Sequence, residues 1–313
     1  MKKIHIKEKR CDLNIPNIAI GRYIGGGANG DVFEAVDNLL GRKIAVKIWN
    51  KRGERRAQAE ISKIAKIQHD LFVSTYQFGF IEEKPYAIME FVDGKNGKEW
   101  LKEEPQFNEK LDVWNSYSKA LKLLYKKNEF HGDPHLGNVL IAEYNEETSD
   151  NKRIVKLADT GTSIFWESHE KFENRDVDLI LETAKQMFES DKIIELIEIP
   201  NNLSPVSTLE IIDCYCDLLS FIVNTEDDPY ASGRNAGYIS EMIINVPVFN
   251  LDCVVDLCVK RGLTGSRRLG IRLNRKLNEL DSSFNQTESI TSETKDEYDK
   301  LRKSFFEKYR IRD

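Results

Sequence analysis

No stretch of the sequence approaches the ~18 consecutive apolar residues that a membrane helix needs. Membrane spanning is therefore not expected. The segment from Met1 to Pro16 is basic but has no apolar core, so it does not read as a secretory signal. The 5 cysteines include no C-x-x-C pair: neither Cys214 with Cys216 nor Cys253 with Cys258 has zinc-ribbon or redox spacing. Buried, reduced thiols in a cytoplasmic protein are the expectation. An excess of positive charge is also missing. Lys and Arg number 46 against 52 Asp and Glu, a net charge of −6, which argues against bulk nucleic-acid binding as the main task. There is no internal repeat.

What is present is an ordinary globular composition, 40% hydrophobic and 31% charged over 313 residues. That is enough for one large domain or two lobes. The first ~90 residues read mostly as strands. Ile18 to Ile24 runs into three glycines. Asp31 to Val36, Lys43 to Trp49, Tyr76 to Ile81 and Tyr86 to Val92 follow. A helix carrying Ala57, Ile61, Ile64 and Ala65 interrupts them. The expectation is a small antiparallel sheet with one helix. Beyond Gly94 the pattern turns helical. Leu111, Trp114, Tyr117, Leu121 and Leu124 make a long amphipathic stripe. Two short strands, Val139 to Ile141 and Ile154 to Leu157, flank a polar loop. Helices are expected at Asp176 to Phe188, Leu209 to Val223, Tyr238 to Ile244, Leu251 to Val259 and Asp296 to Tyr309, with a Ser/Thr-rich linker before the last. The basic stretch Arg267 to Lys276 reads as a helix with a solvated basic face.

Three blocks carry chemistry. Gly25, Gly27 and Gly30 lead into Val32 on a second strand rather than into a helix. A dinucleotide fold would need the helix. A glycine-rich hairpin instead lets backbone N–H groups lie over a triphosphate. Ala45-Val46-Lys47 follows on the next strand, and Glu60 on the first helix can pair with the Lys47 ammonium. Glu54 is the rival partner. The third block is His131-Gly132-Asp133-Pro134-His135-Leu136-Gly137-Asn138, then Ala158-Asp159-Thr160-Gly161 after the second short strand.

In this order the motifs resemble the protein-kinase-like superfamily, and among its members a bacterial atypical serine/threonine protein kinase. The resemblance covers about residues 17 to 190. It implies an α+β, bilobal protein-kinase-like fold, with a small antiparallel-sheet N-lobe with one helix and a larger, mainly helical C-lobe. It implies an N-terminal extension at 1–16, an N-lobe at 17–92, a C-lobe at 93–280, and a Ser/Thr-rich linker with a C-terminal helix at 281–313. ATP and Mg2+ are the implied cofactors, and a protein hydroxyl the implied acceptor. Residue by residue, Asp133 matches the aspartate that orients the acceptor hydroxyl, and Asn138 and Asp159 match the two Mg2+ ligands. Lys47, held by Glu60, matches the lysine on the α- and β-phosphates. His135 stands where serine/threonine kinases place a lysine near the γ-phosphate; it either donates to that phosphate or packs the loop. Gly25, Gly27, Gly30, Val32 and Ala45 match the nucleotide cradle. Met89, Glu90 and Val92 match the gatekeeper and the adenine-binding hinge.

Four features depart from the family pattern. Gly132 replaces the arginine before the catalytic aspartate. Thr160 replaces the Phe of D-F-G. No A-P-E follows, and the stretch from Asp159 to Asp176 is short. Without that arginine, phosphorylation between Thr160 and Ser168 is not expected to switch the protein on. The Ser/Thr-rich stretch Ser282 to Thr294 is the expected place for any autophosphorylation. The H-G-D loop is similar to that of aminoglycoside and choline kinases, so a small-molecule kinase is the alternative reading. Glu226-Asp227-Asp228 is then a candidate for a cationic substrate, or simply an acidic turn. A pseudokinase binding module is the third reading.

Overall fold

The computed structural model describes residues 14–26, 30–50, 57, 69–81, 83–144, 152–160, 169–188 and 204–224. Several expectations lie outside these residues. They are Gly27, Glu54 and Glu60, all but Ala57 of the first helix, residues 145–151 of the polar loop expected from Glu143 to Arg153, and Thr162, Ser163 and Ser168. The acidic run at 226–228, the basic stretch at 267–276, the Ser/Thr-rich linker and the three helices beyond residue 224 lie outside as well. The chain divides into two compact units, residues 1–183 with 204–206, and residues 184–203 with 207–313.

The first unit opens with the expected antiparallel sheet. Its strands are β1 (Ile18–Gly26), β2 (Gly30–Asp37), β3 (Arg42–Trp49), β4 (Thr75–Ile81) and β5 (Lys84–Glu90), in the order β1-β2-β3-β5-β4. Side chains alternate across a strand, so β3 feeds two clusters. Ile44 and Val46 pack with Ile15, Ala35, Tyr86 and Ile88. Trp49 packs on the other face with Ala87 and with Ala57, a fully buried helical residue. Burial on both faces explains why β3 reads as a nearly unbroken apolar run.

β5 stops at Glu90, two residues before the expected end at Val92. The backbone N–H of Glu90 donates to Ser74 O at 2.8 Å, and the chain then leaves the sheet. It re-enters structure as β6 (Lys95–Asn96), which pairs with β7 (Val139–Tyr144); β8 (Lys152–Leu157) completes that three-stranded sheet. β7 and β8 run longer than the sequence suggested. Glu143 lies opposite Arg153 and Tyr144 opposite Lys152, and polar pairs of this kind leave no apolar signature. Arg153 is ion-paired with both Glu143 and Glu109.

The rest of the described chain is mainly helical. α1 (Phe107–Lys126) buries Val113, Trp114, Tyr117, Ala120, Leu121 and Leu124, one face at helical spacing. Its start is capped by the Glu109 carboxylate, which accepts from Gln106 N–H at 2.7 Å. Its end is marked by Asn128 in the left-handed region, φ 56°. α2 (His169–Phe188) starts before the expected Asp176. The added turns are polar, so periodicity did not reveal them. Together these parts give the bilobal arrangement, a small antiparallel-sheet lobe with a helix followed by a mainly helical lobe. α3 (Pro205–Asn224) begins with proline, which needs no N–H partner in a first helical turn. Cys216 is buried in α3, and that burial raises its thiol pKa well above the ordinary value, with Asp213 and Asp217 adding to the shift. Among the described residues no helix is long and apolar enough to cross a membrane.

The glycine-rich hairpin holds two kinds of glycine. A Cβ on Gly30 would lie 2.3 Å from Ile48 O and 2.9 Å from the Trp49 Cα, both on the β3 backbone. A Cβ on Gly25 would meet nothing within 4 Å. Gly30→Ala is expected to destabilise the fold by about 1–3 kcal/mol through this overlap. Gly25→Ala is expected to leave the urea midpoint nearly unchanged. Equal midpoints for the two variants would refute the distinction.

Candidate functional site

The strand register gathers the candidate nucleotide residues. Gly25 lies opposite Val32, Val32 opposite Lys47, and Lys47 opposite Ala87. Directly paired residues of antiparallel strands share a face. Ala45, two residues before Lys47, is on that face too, and its partner on β5 is Met89. So Gly25, Val32, Ala45, Lys47 and Met89 line one surface of the sheet. Glu90 falls on the other side of the alternation. Its carboxylate accepts from Ser74 N–H at 3.2 Å and from Lys156 Nζ on β8 at 2.8 Å. The sequence reading gave Glu90 only a backbone role and gave Lys156 none.

Lys47 is 3% exposed. An ammonium this deep needs a counter-charge. Among the described residues it forms an ion pair with Asp159 Oδ1, and it sits 4.9 Å from the centre of the Trp49 ring. Asp159 has φ 59°, a left-handed conformation uncommon outside glycine, two residues past the end of β8. Its neighbour Ala158 donates its N–H to Asn138 O at 2.9 Å. Asn138 Nδ2 in turn donates to Asp133 O, also at 2.9 Å. Lys47, Asp159, Asn138 and Asp133, drawn from between residue 47 and residue 159, thus form one connected series.

The catalytic-type loop is fastened from three sides. His131 is fully buried, its Nε2 3.1 Å from Ala158 O and its Nδ1 accepting from Asp133 N–H at 3.3 Å. That pairing assigns the proton to Nε2. Pro134 O accepts from Tyr117 OH at 2.6 Å and from Thr183 Oγ1 at 3.3 Å. The third fastening is one that sequence reasoning missed. Asp176 on α2 is fully buried, and its carboxylate accepts from His131 N–H at 3.1 Å and Gly132 N–H at 2.9 Å. Tyr125 OH donates to the same carboxylate at 2.9 Å. Burial and the nearby Asp176 charge both push the Tyr125 pKa well above its usual value, so the phenol stays protonated and donates. Burial likewise raises the pKa of Tyr117. The signal for Asp176 was only an aspartate in the first apolar turns of a helix, too common to single out.

Next to it, Arg175 donates through Nε to Gly132 O at 2.9 Å and through Nη2 to Asp133 Oδ1 at 2.7 Å. His135 Nε2 is 3.5 Å from the other carboxylate oxygen, Asp133 Oδ2. Among the described residues, His135 Nδ1 is buried and finds no hydrogen-bond partner. Val92 is half-buried just past the end of β5. Gly27 and Glu60 lie outside the described residues, and with them the expected Lys47–Glu60 pair.

Removing the Asp176 carboxylate strands two buried N–H groups and a phenol. Asp176→Ala is expected to cost about 3 kcal/mol or more in denaturant unfolding. Tyr125→Phe, which removes one donor and leaves the carboxylate its two amides, is expected to cost about 1–2 kcal/mol. An Asp176→Ala loss no larger than that of Tyr125→Phe would contradict this account of the loop.

Comparison with known proteins agrees with the geometry. The family model described as Protein kinase domain matches residues 18–181, more than half of the chain. A probable serine/threonine-protein kinase of Clostridium acetobutylicum is 30% identical over 150 residues, 45% of this chain and 22% of that protein. The serine/threonine-protein kinase PknA of Mycobacterium tuberculosis is 28% identical over 151 residues, 44% of this chain and 35% of PknA. PrkC of Bacillus subtilis is 26% identical over 144 residues, 41% of this chain and 22% of PrkC. The matches span 35% or less of the length of these three relatives. The crystal structure of the Mycobacterium tuberculosis PknI kinase domain aligns at a TM-score of 0.45 and 17% identity, over 56% of this chain and 75% of that one. With its glycine hairpin, buried strand lysine and fastened H-G-D loop, the chain belongs to the protein kinase domain family.

Proposed function

We propose that the chain is an ATP- and Mg2+-dependent serine/threonine protein kinase acting in the cytoplasm. The observation that carries this reading is the connected series from Lys47 through Asp159 and Asn138 to Asp133. The proposed lobe boundaries are 17–92 and 93–280. In this reading the face holding Gly25, Val32, Ala45 and Met89 takes the nucleotide, and the backbones of Glu90 and Val92 bond the adenine edge. The Lys47 ammonium holds the α- and β-phosphates.

Asn138 and Asp159 are the proposed Mg2+ ligands, and the donor set suits the ion. The Asn138 amide nitrogen is spent on Asp133 O, which leaves its hard oxygen as the outward acceptor. Mg2+ is usually held by one or two protein oxygens plus substrate phosphates rather than by a full protein cage. Among the described residues no group of three or more His, Cys, Asp or Glu side chains forms such a cage. Bound there, Mg2+ supplies neutralisation of the phosphate charge. Asp133 orients the acceptor hydroxyl and takes its proton as that oxygen bonds the γ-phosphorus and the bond to ADP breaks. His135, beside Asp133, donates to the transferred phosphoryl group.

Incubation with γ-labelled ATP and Mg2+, alone and with generic protein and small-amine acceptors, tests the function. Label on protein supports the proposal. Label confined to small amines or sugars selects the small-molecule kinase, and no label selects the binding module. Asp133→Asn is expected to lower kcat by about 10²–10⁴-fold while Mg·ATP affinity stays nearly intact. Asp159→Ala is expected to weaken Mg·ATP binding at least about tenfold as well as stop turnover. Calorimetry on both variants checks this, and unchanged binding and turnover in Asp159→Ala would remove its metal role.

A further inference from the structure

The loop residue before Asp133 is glycine, yet a guanidinium still reaches the aspartate. It comes from the large-lobe helix. Arg175 Nη2 donates to Asp133 Oδ1 at 2.7 Å, and Nε to Gly132 O at 2.9 Å. We propose that Arg175 is the positioning residue for Asp133, holding Oδ1 so that Oδ2 is presented to the acceptor hydroxyl. This rests on the reading of Asp133 given above.

Three observations support it. First, the two contacts differ in kind, one to the carboxylate and one to the backbone of the preceding residue. A planar guanidinium that spans both fixes the side chain relative to its own main chain, which a single point charge would not do. Second, Gly132 has φ 83°, a conformation that strains any residue with a Cβ. The backbone that turns Gly132 O toward Arg175 is therefore one that an arginine at position 132 could not adopt without strain. The glycine and the helix-borne arginine form one arrangement. Third, Arg175 and Asp176 are consecutive. Asp176 holds the His131 and Gly132 N–H groups, and Arg175 holds Gly132 O and Asp133 Oδ1. One turn of α2 grips both sides of the loop.

A stability role alone accounts poorly for the pair. The Arg175 side chain is 37% exposed and that of Asp133 23%, and ion pairs so accessible to water add little to folding. The same contact acting on orientation has more leverage, because misplacing a reacting group by about 1 Å can cost about 10²-fold in rate. The guanidinium is also always charged and already engaged. The loop is held without a phosphate on the segment after Asp159.

The test uses the full chain and Mg·ATP with a protein acceptor that the wild type labels. Arg175→Met is expected to lower kcat about 10- to 100-fold with KM for ATP nearly unchanged and melting within a few degrees of wild type. Arg175→Lys, able to make one of the two contacts, is expected to recover part of the loss. Added guanidinium ion is expected to raise the activity of Arg175→Ala severalfold and to leave Asp133→Asn inactive. An unchanged kcat in Arg175→Met overturns the proposal. So does a loss of activity matched by an equal loss of ATP affinity, or one that neither lysine nor guanidinium restores. A wild type without transfer, or an Asp133→Asn variant as active as wild type, overturns the underlying assignment of Asp133 and this inference with it; normal Arg175 variants beside an inactive Asp133→Asn overturn this inference alone.

Discussion

A buried carboxylate organises the large lobe. Asp176 lies on a helix, far in sequence from the loop it serves, and is closed off from water. A charge in that position is tolerable only where donors surround it. Two consecutive backbone amides and a phenol do so, and each is itself made part of the core by the bond. The requirement runs in both directions. The loop cannot leave without stranding the carboxylate, and α2 cannot shift without stranding the loop. Everything downstream inherits that fixed position, including the His131 ring, its bond to Ala158, and hence the chain just past β8 that carries Asp159.

A second constraint comes from the sheet. Lys47 is the buried charged residue in its row of β3, between Ala45 and Trp49. Its burial is balanced by Asp159 and by the face of the indole. The strand β8, which ends two residues before Asp159, is also joined to the sheet lobe elsewhere. Leu157 exchanges backbone hydrogen bonds with Leu71 and Val73, and Lys156 reaches Glu90. Within four positions, Lys156, Leu157 and Asp159 therefore address the end of β5, the connecting segment and the β3 lysine. Asp159 is located by backbone and charge together.

The sequence displayed those parts of the site whose chemistry demands a rare residue in a fixed local frame. Glycines before a strand, a lysine inside an apolar strand, and His, Asp and Asn within eight positions are each visible without coordinates. The sheet and the long helix were legible because burial on defined faces writes periods of two and 3.6 into the chain. The unread parts have no such period. Arg175, Asp176, Lys156 and Glu90 act on partners 42 to 66 positions away, and nothing local marks them. The β7–β8 extension and the early turns of α2 were missed for a related reason, since polar pairs and polar helix turns look like loop. The end of β5 was overrun because Phe91 and Val92 keep their strand-like character after their backbone partners have run out.

The cross-strand row Gly25, Val32, Lys47 also governs where the length of this chain can change. A single residue inserted within β2 would turn Val32 to the opposite surface and bring a different side chain beside Lys47, because strand faces alternate one by one. The bend between β2 and β3 stands apart from that row. Leu39 and Leu40 there are exposed, and Asp37 caps the bend by accepting from both of their N–H groups. Extra residues at that tip would lengthen a surface loop and leave the row aligned. Tolerance to insertion should therefore fall steeply over a few positions, from the tip of the hairpin to the strand that feeds the site.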